Sequence, residues 1–196
     1  MKTFKEFLLE RNGGLRRTVA VVPGSFKPPH AGHYGMVEEY SKIADEVVVI
    51  ISDPKKDSSL RKTPSGRIIS PEMSKQIWEI YTKPLKNVKV IISNKPSPVV
   101  AAYDYIETLK DVDVILGASK KGDDWKRWTT APAYFEKHGF PVTIKDPEES
   151  AVDAKFDNMS ATDFRNSLQS GIDGIKPFVP KHLSNSDIEK VIEILK

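Results

Sequence analysis

The chain alternates short, wholly apolar runs with longer segments of helical spacing. Thr18–Val22 (TVAVV) is β-branched and small, with no polar alternation, the pattern of a strand buried on both faces. Glu46–Ser52 (EVVVIIS), Val88–Ser93 (VKVIIS), Val112–Gly117 (VDVILG) and Pro141–Lys145 (PVTIK) read as four more strands. Pro23 and Gly24 are expected to end the first. From His33, the segment HYGMVEEYSKI places Met36, Val37, Tyr40 and Ile43 on one helical face. Ser70-Pro71 predicts a capped helix to about Tyr81, and Ser97-Pro98 another to about Lys110. Ser160–Ser170 reads as a helix, and Ser186-Asp187-Ile188-Glu189 as the capping box of a last helix ending at Leu195. Strands alternating with helices predict a doubly wound α/β fold: a five-stranded parallel sheet with C-terminal helices.

Other stretches fit this alternation less simply. Asp53–Ile69 is a long polar loop carrying Lys55, Lys56, Arg61, Lys62 and Arg67. Loops of that length are often functional, and these side chains could reach a triphosphate; a solvated surface loop is the equal alternative. Lys120–Trp128 (KKGDDWKRW) reads either as part of a nucleotide pocket, with an indole near the base, or as an amphipathic helix with Trp125 and Trp128 inward. Met73-Ser74-Lys75 superficially resembles the KMSKS loop of class I aminoacyl-tRNA synthetases, but it lies inside a helix of a chain too short for such an enzyme. Met1–Glu10 forms an amphipathic turn or two with Phe4, Phe7 and Leu8 on one face, broken by Asn12-Gly13-Gly14. Residues 1–14 are therefore set apart from a domain spanning 15–196.

Composition narrows the function. A length of 196 residues fits one domain, and 39% hydrophobic residues suffice for a core. Lys plus Arg number 30 against 27 acids, too mild an excess to argue for nucleic acid. The absence of cysteine excludes disulfides, thiolate catalysis and Cys-based zinc sites. No apolar run approaches the roughly 20 residues of a membrane span, and the first ten residues are too charged for a signal peptide. A cytoplasmic location is expected.

The chemistry gathers after the first strand. A buried strand, a Gly/Pro loop and a helix start build an anion site, because the helix offers unpaired N–H groups and partial positive charge. Gly24 lets a phosphate approach the backbone, and Gly32 permits a tight turn between His30 and His33. A metal pair at these histidines lacks a third ligand nearby. His138 and His182 read as structural or surface residues. The start of the Ser160 helix is a second anion site, with Thr162 in its first turn and Arg165 a turn on. No serine elbow, GxxxxGK[ST] loop or GxGxxG turn is present.

Gly24-Ser25-Phe26, His30-Ala31-Gly32-His33 and Ser160-Ala161-Thr162-Asp163-Phe164-Arg165 occur in the order and context of GxF, HxGH and SxTxxR motifs. Over roughly Thr18 to Leu168 the chain resembles the HxGH nucleotidyltransferase superfamily, which includes the nicotinamide mononucleotide and phosphopantetheine adenylyltransferases and the small cytidylyltransferases. The resemblance implies a Rossmann-like sheet of order 3-2-1-4-5. Under that order Gly117 and Ser119 would face the same crevice as Gly24–His33. It implies transfer of a nucleoside monophosphate from a triphosphate to a phosphorylated small-molecule acceptor, releasing pyrophosphate. His33 would contact the α-phosphate and His30 would help hold the phosphates. Ser25 and the Phe26 backbone would position a substrate, while Ser160, Thr162 and Arg165 would hold the β- and γ-phosphates. Mg²⁺ would enter on the triphosphate, bound mostly through phosphate oxygens and water.

Lys27 stands where many members carry Asp or Gln, and a cation there favours an anionic acceptor or acts on phosphate itself. The cytidylyltransferase signature RTxGISTT is replaced by NMSATDFR, which favours ATP over CTP. MKTFKEFLLE also resembles the leader peptides of internal head proteins of large tailed bacteriophages, cut after a Leu-x-Glu pattern, although Arg11 departs from the small residue usual after the cut. That resemblance implies host cytoplasm or virion interior as the location. It opens an alternative function, a non-catalytic nucleotide-binding protein packaged in a phage head. Oligomeric state is left open, a homo-oligomer included.

Overall fold

The computed structural model describes residues 16–55, 60–153 and 159–196. The expectations for residues 1–14 lie outside the described residues. Five parallel strands form one sheet: β1 (Arg17–Gly24), β2 (Glu46–Ile51), β3 (Val88–Ile92), β4 (Val112–Leu116) and β5 (Val142–Ile144), in the order β3-β2-β1-β4-β5. The fold is Rossmann-like, with the order the family resemblance implies.

The uninterrupted apolar run of β1 has a simple cause. Successive side chains point to opposite faces. Ala20 and Val22 enter a core with Tyr40, Trp78, Phe164 and Ile192; Val19 and Val21 enter another with Ile106, Trp128 and Phe135. β1 runs on through Pro23 and Gly24, which pair with Ile50 and Ile51, rather than stopping at Val22. A proline is tolerated there because the β4 side of the ladder ends at Val21↔Leu116, so no β4 carbonyl waits for an N–H at Pro23.

The helices are α1 (Ala31–Ile43), α2 (Pro71–Tyr81), α3 (Pro98–Ile106), α4 (Ala131–Lys137), α5 (Ala161–Ser167), α6 (Gly171–Ile175) and α7 (Asn185–Leu195). Helix α1 begins two residues before His33, at a point discussed below. Ser70 and Ser160 cap α2 and α5 through their hydroxyls, as their sequences predict. Ser97 occupies the N-cap of α3 without a side-chain bond. The last helix is capped by Ser184 paired with Asp187, not by Ser186. Lys120–Trp128 is not an α-helix: a 3-10 segment, Lys121–Trp128, is kinked by left-handed Gly122 and Asp123.

The sheet reverses winding between β1 and β4, so the loops leaving their carboxyl ends diverge and open a crevice. Tyr40 ties the helix on one side of that crevice to the β4 exit on the other. Its buried hydroxyl accepts from the Ala118 N–H at 3.1 Å and donates toward the Ala118 and Ser150 carbonyls, each at 3.0 Å. Burial pushes this phenol up to about 12, so it stays protonated. Tyr40→Phe leaves a buried N–H unpaired and is expected to cost about 1–3 kcal/mol of stability, read from the urea unfolding midpoint. An unchanged midpoint would deny the tie any structural weight.

Candidate active site

The loop from Gly24 to His30 is shaped by one aromatic ring. Phe26 is 6% exposed and left-handed at φ 47°, and its side chain folds back over Gly24. A Cβ on Gly24 would lie 2.6 Å from that ring, so only glycine fits there. The ring meets His33 edge-on at 5.0 Å and Trp78 at 5.2 Å. Buried Ser74 donates to the Phe26 carbonyl at 2.6 Å, and the Tyr81 hydroxyl reaches the Pro29 carbonyl at 3.3 Å. Helix α2 therefore holds this loop from below.

His30 is the N-cap of α1, accepting from the Gly32 N–H through Nδ1 at 3.2 Å. Its own N–H donates to Nδ1 of His33, also at 3.2 Å. This reciprocal cap uses imidazoles where Ser and Glu are usual. Gly32 lies inside the first helical turn, its N–H serving the cap, and is not among the positive-φ glycines. With both Nδ1 atoms accepting, each ring keeps its proton on Nε2.

The rings stack at 3.7 Å and 24°. Burial lowers His30 to about 4, and burial together with its neighbour holds His33 well below the ordinary imidazole range. Both are neutral donors at pH 7. Between about pH 6.5 and 4 the unfolded chain binds protons that the folded chain refuses, so stability falls as pH falls. The His30 contribution is on the order of 3 kcal/mol. Urea unfolding at pH 7 and 4.5 measures it. His30→Asn, which keeps a capping side chain, is expected to flatten the dependence; a wild-type profile already flat would contradict the neutral stack.

Beside this loop lies a cleft of about 480 Å³, lined among others by Ser25, Phe26, Lys27, His33, Thr162 and Arg165. Arg165, on α5, donates through Nη1 to the Lys27 carbonyl at 2.7 Å and through Nη2 to Thr162 Oγ1 at 2.9 Å. That first bond joins residues 138 apart in the chain. Lys27 is 5% exposed, and its pKa is lowered by burial, with Asp53 acting against the shift. Arg61 also lines the cleft, and none of its described lining residues is a carboxylate. Pro54 and Pro96, from the loops after β2 and β3, and Pro98, the first residue of α3, also line its wall.

A second opening, about 570 Å³, lies between residues 63–65 and α7 and carries Glu189 and Glu193 with a single lysine. Its charge is wrong for a polyphosphate. The cationic cleft is the candidate site.

Several residues singled out in the sequence stand outside the cleft lining. His30 stacks against His33 without lining the cleft. The Ser160 hydroxyl is engaged with Asp163, accepting from its N–H at 3.0 Å and donating to its carboxylate at 2.7 Å. Gly117 packs: a Cβ there would lie 2.8 Å from Val22, and its carbonyl accepts from the Trp128 indole at 3.3 Å. Ser119 is half-buried beside Val152. Trp128 is fully buried, so its indole is unavailable to stack on a base.

Among the described residues no group of three His, Cys, Asp or Glu could hold an ion, and none of those lining the cleft is a carboxylate. No helix among the described residues is long and apolar enough to cross a membrane.

Residues 21–166 match the family described as cytidylyltransferase-like. The chain is 25% identical over 163 residues to a protein of Sulfurimonas denitrificans assigned as a nicotinate-nucleotide adenylyltransferase, covering 78% of this chain and 86% of that one. It is 35% identical over 74 residues to the phosphopantetheine adenylyltransferase of Bdellovibrio bacteriovorus, covering 38% and 41% of the two. A structure from Vibrio parahaemolyticus assigned as a nicotinate-nucleotide adenylyltransferase superposes with a TM-score of 0.57 at 18% identity, over 90% of this chain and 99% of that one. The bifunctional NMN adenylyltransferase/ADP-ribose pyrophosphatase of Francisella tularensis, complexed with AMP and a manganese ion, gives 0.51 at 16% identity, over 92% and 52%. At these identities the two structures speak to fold alone.

Proposed function

Because the chain belongs to the cytidylyltransferase-like family and is a nucleotidyltransferase, we propose that it moves AMP from ATP to the phosphate of a small-molecule acceptor, with pyrophosphate as the other product. The observation that carries this reading is the convergence of His33 and Arg165 on one cleft that Lys27 also lines, with no carboxylate among its described lining residues. The adenylyltransferase relatives and the missing cytidylyltransferase signature support ATP as donor, with CTP the second candidate.

The reaction needs alignment and charge stabilisation more than covalent help. An acceptor phosphate oxygen attacks the α-phosphorus in line, forming one P–O bond while the bond to the β-phosphate bridging oxygen breaks. Nε2–H of His33 donates to the α-phosphoryl oxygen as charge develops there. Nδ1 cannot do this, since it already accepts from His30. Stacked His30 supports that orientation. Ser25 and the Phe26 backbone contact substrate where β1 ends. Arg165, Thr162 and Lys27 hold the departing pyrophosphate, the guanidinium aimed by its bond to the Lys27 carbonyl. Mg²⁺ is part of the nucleotide substrate and neutralises the triphosphate.

The test is acceptor-dependent pyrophosphate release from Mg²⁺–ATP and Mg²⁺–CTP, with nicotinate mononucleotide and 4′-phosphopantetheine among the acceptors. Release that requires an acceptor supports the reading. Calorimetric binding of ATP with no turnover on any acceptor would replace it with a non-catalytic nucleotide-binding role.

A further inference from the structure

The loop between β2 and α2 is not structureless along its second half. The Ile69 N–H donates to the Arg61 carbonyl at 2.9 Å and the Thr63 N–H to the Arg67 carbonyl at 2.8 Å, while Lys62 pairs antiparallel with Ile68. Gly66, at φ 88°, turns the tip. Residues 61–69 thus form a small hairpin. Its base is anchored, because Ile69 is fully buried and Ser70 caps α2 directly afterwards. Arg61 sits at that base, with an exposed side chain that lines the cleft.

Lys27, Arg61 and Arg165 therefore share one cleft, with no carboxylate among its described lining residues. Arg61 helps to lower the pKa of both others, after burial in each case and, for Lys27, against Asp53. Like charges held this close oppose one another, and a phosphate placed between them relieves that repulsion. A guanidinium also presents parallel N–H groups that match two phosphate oxygens at once.

We propose that Arg61 is a substrate-binding residue of this cleft, its guanidinium contacting a phosphate of the bound nucleotide or acceptor alongside Lys27 and Arg165. This rests on the nucleotidyl-transfer reading given above and adds a residue that none of the GxF, HxGH or SxTxxR motifs contains. The hairpin is the device that delivers it: the pairing of residues 62 and 68 fixes where residue 61 leaves the loop.

The test is calorimetric binding of Mg²⁺–ATP, inorganic tripolyphosphate and nicotinate mononucleotide to the wild-type chain, Arg61→Gln and Arg61→Lys. Arg61→Gln is expected to weaken at least one of these roughly tenfold or more, the scale of one charge-assisted bond. Arg61→Lys restores part of the loss, and the unfolding midpoint stays at the wild-type value because the side chain is exposed. A loss confined to ATP and tripolyphosphate assigns the contact to the nucleotide; one confined to nicotinate mononucleotide assigns it to the acceptor. Wild-type affinity of Arg61→Gln for all three ligands overturns the role of Arg61 alone. A wild-type chain that binds none of them overturns the reading of the cleft, and this inference with it.

Discussion

Replacing His33 with alanine is expected to lower turnover by roughly 10²-fold or more, the scale of removing one preorganised oxyanion donor. Nδ1 is occupied by the His30 N–H, so the proton resides on Nε2, and burial beside a second imidazole keeps the ring neutral. Such a donor strengthens as charge moves onto the α-phosphoryl oxygen. The loss should therefore fall on kcat and leave KM for ATP nearly unchanged. Alanine also removes half of a reciprocal helix cap, which could lower activity through folding alone. His33→Gln separates the two effects: glutamine is a favoured residue at that capping position, so the variant should melt like wild type and still turn over slowly. Pyrophosphate release under saturating ATP is the measurement. Wild-type rates in either variant would remove His33 from the mechanism.

Arg165→Ala should lower kcat/KM by roughly 10²–10³-fold, because two functions leave together. One, on the proposed mechanism, is the cation for the leaving pyrophosphate. The other is the bond to the Lys27 carbonyl, which fixes the loop after β1. Arg165→Lys should recover only part of the loss, since an ammonium cannot serve Lys27 and Thr162 in the planar, two-pronged way of the guanidinium. Steady-state kinetics on both variants checks this. An alanine variant within about threefold of wild type would mean that the guanidinium serves packing and not catalysis.

What could be read from the sequence divides along physical lines. The strands were legible because parallel strands covered on both faces admit no polar alternation, and β1 to β4 lie where that pattern puts them. Ser70 and Ser160 were legible as helix starts because their hydroxyls do ordinary capping chemistry. His30 was not, since an imidazole is an unusual N-cap, and α1 was expected to begin at His33. Strand order came with the family resemblance, because apolar runs of similar length say nothing about which neighbours which. Gly117 is ambiguous in a different way. A glycine after a strand can admit a phosphate or a neighbouring backbone, and only packing against Val22 decides for the second. Arg61 was visible as one of several loop cations. What separates it from Lys62 and Arg67 is a backbone pairing across the hairpin, which composition does not carry.

The bond between Arg165 and the Lys27 carbonyl also bears on how the protein comes into being. During translation the loop bearing the histidines leaves the ribosome 138 residues ahead of the side chain that clasps it. Domains begin to fold from their N-terminal portions as they are made, yet here an early sheet is not an early enzyme. A nascent polypeptide halted just before α5 carries both histidines and lacks Arg165, so the bond that closes this side of the cleft can form only once α5 has emerged.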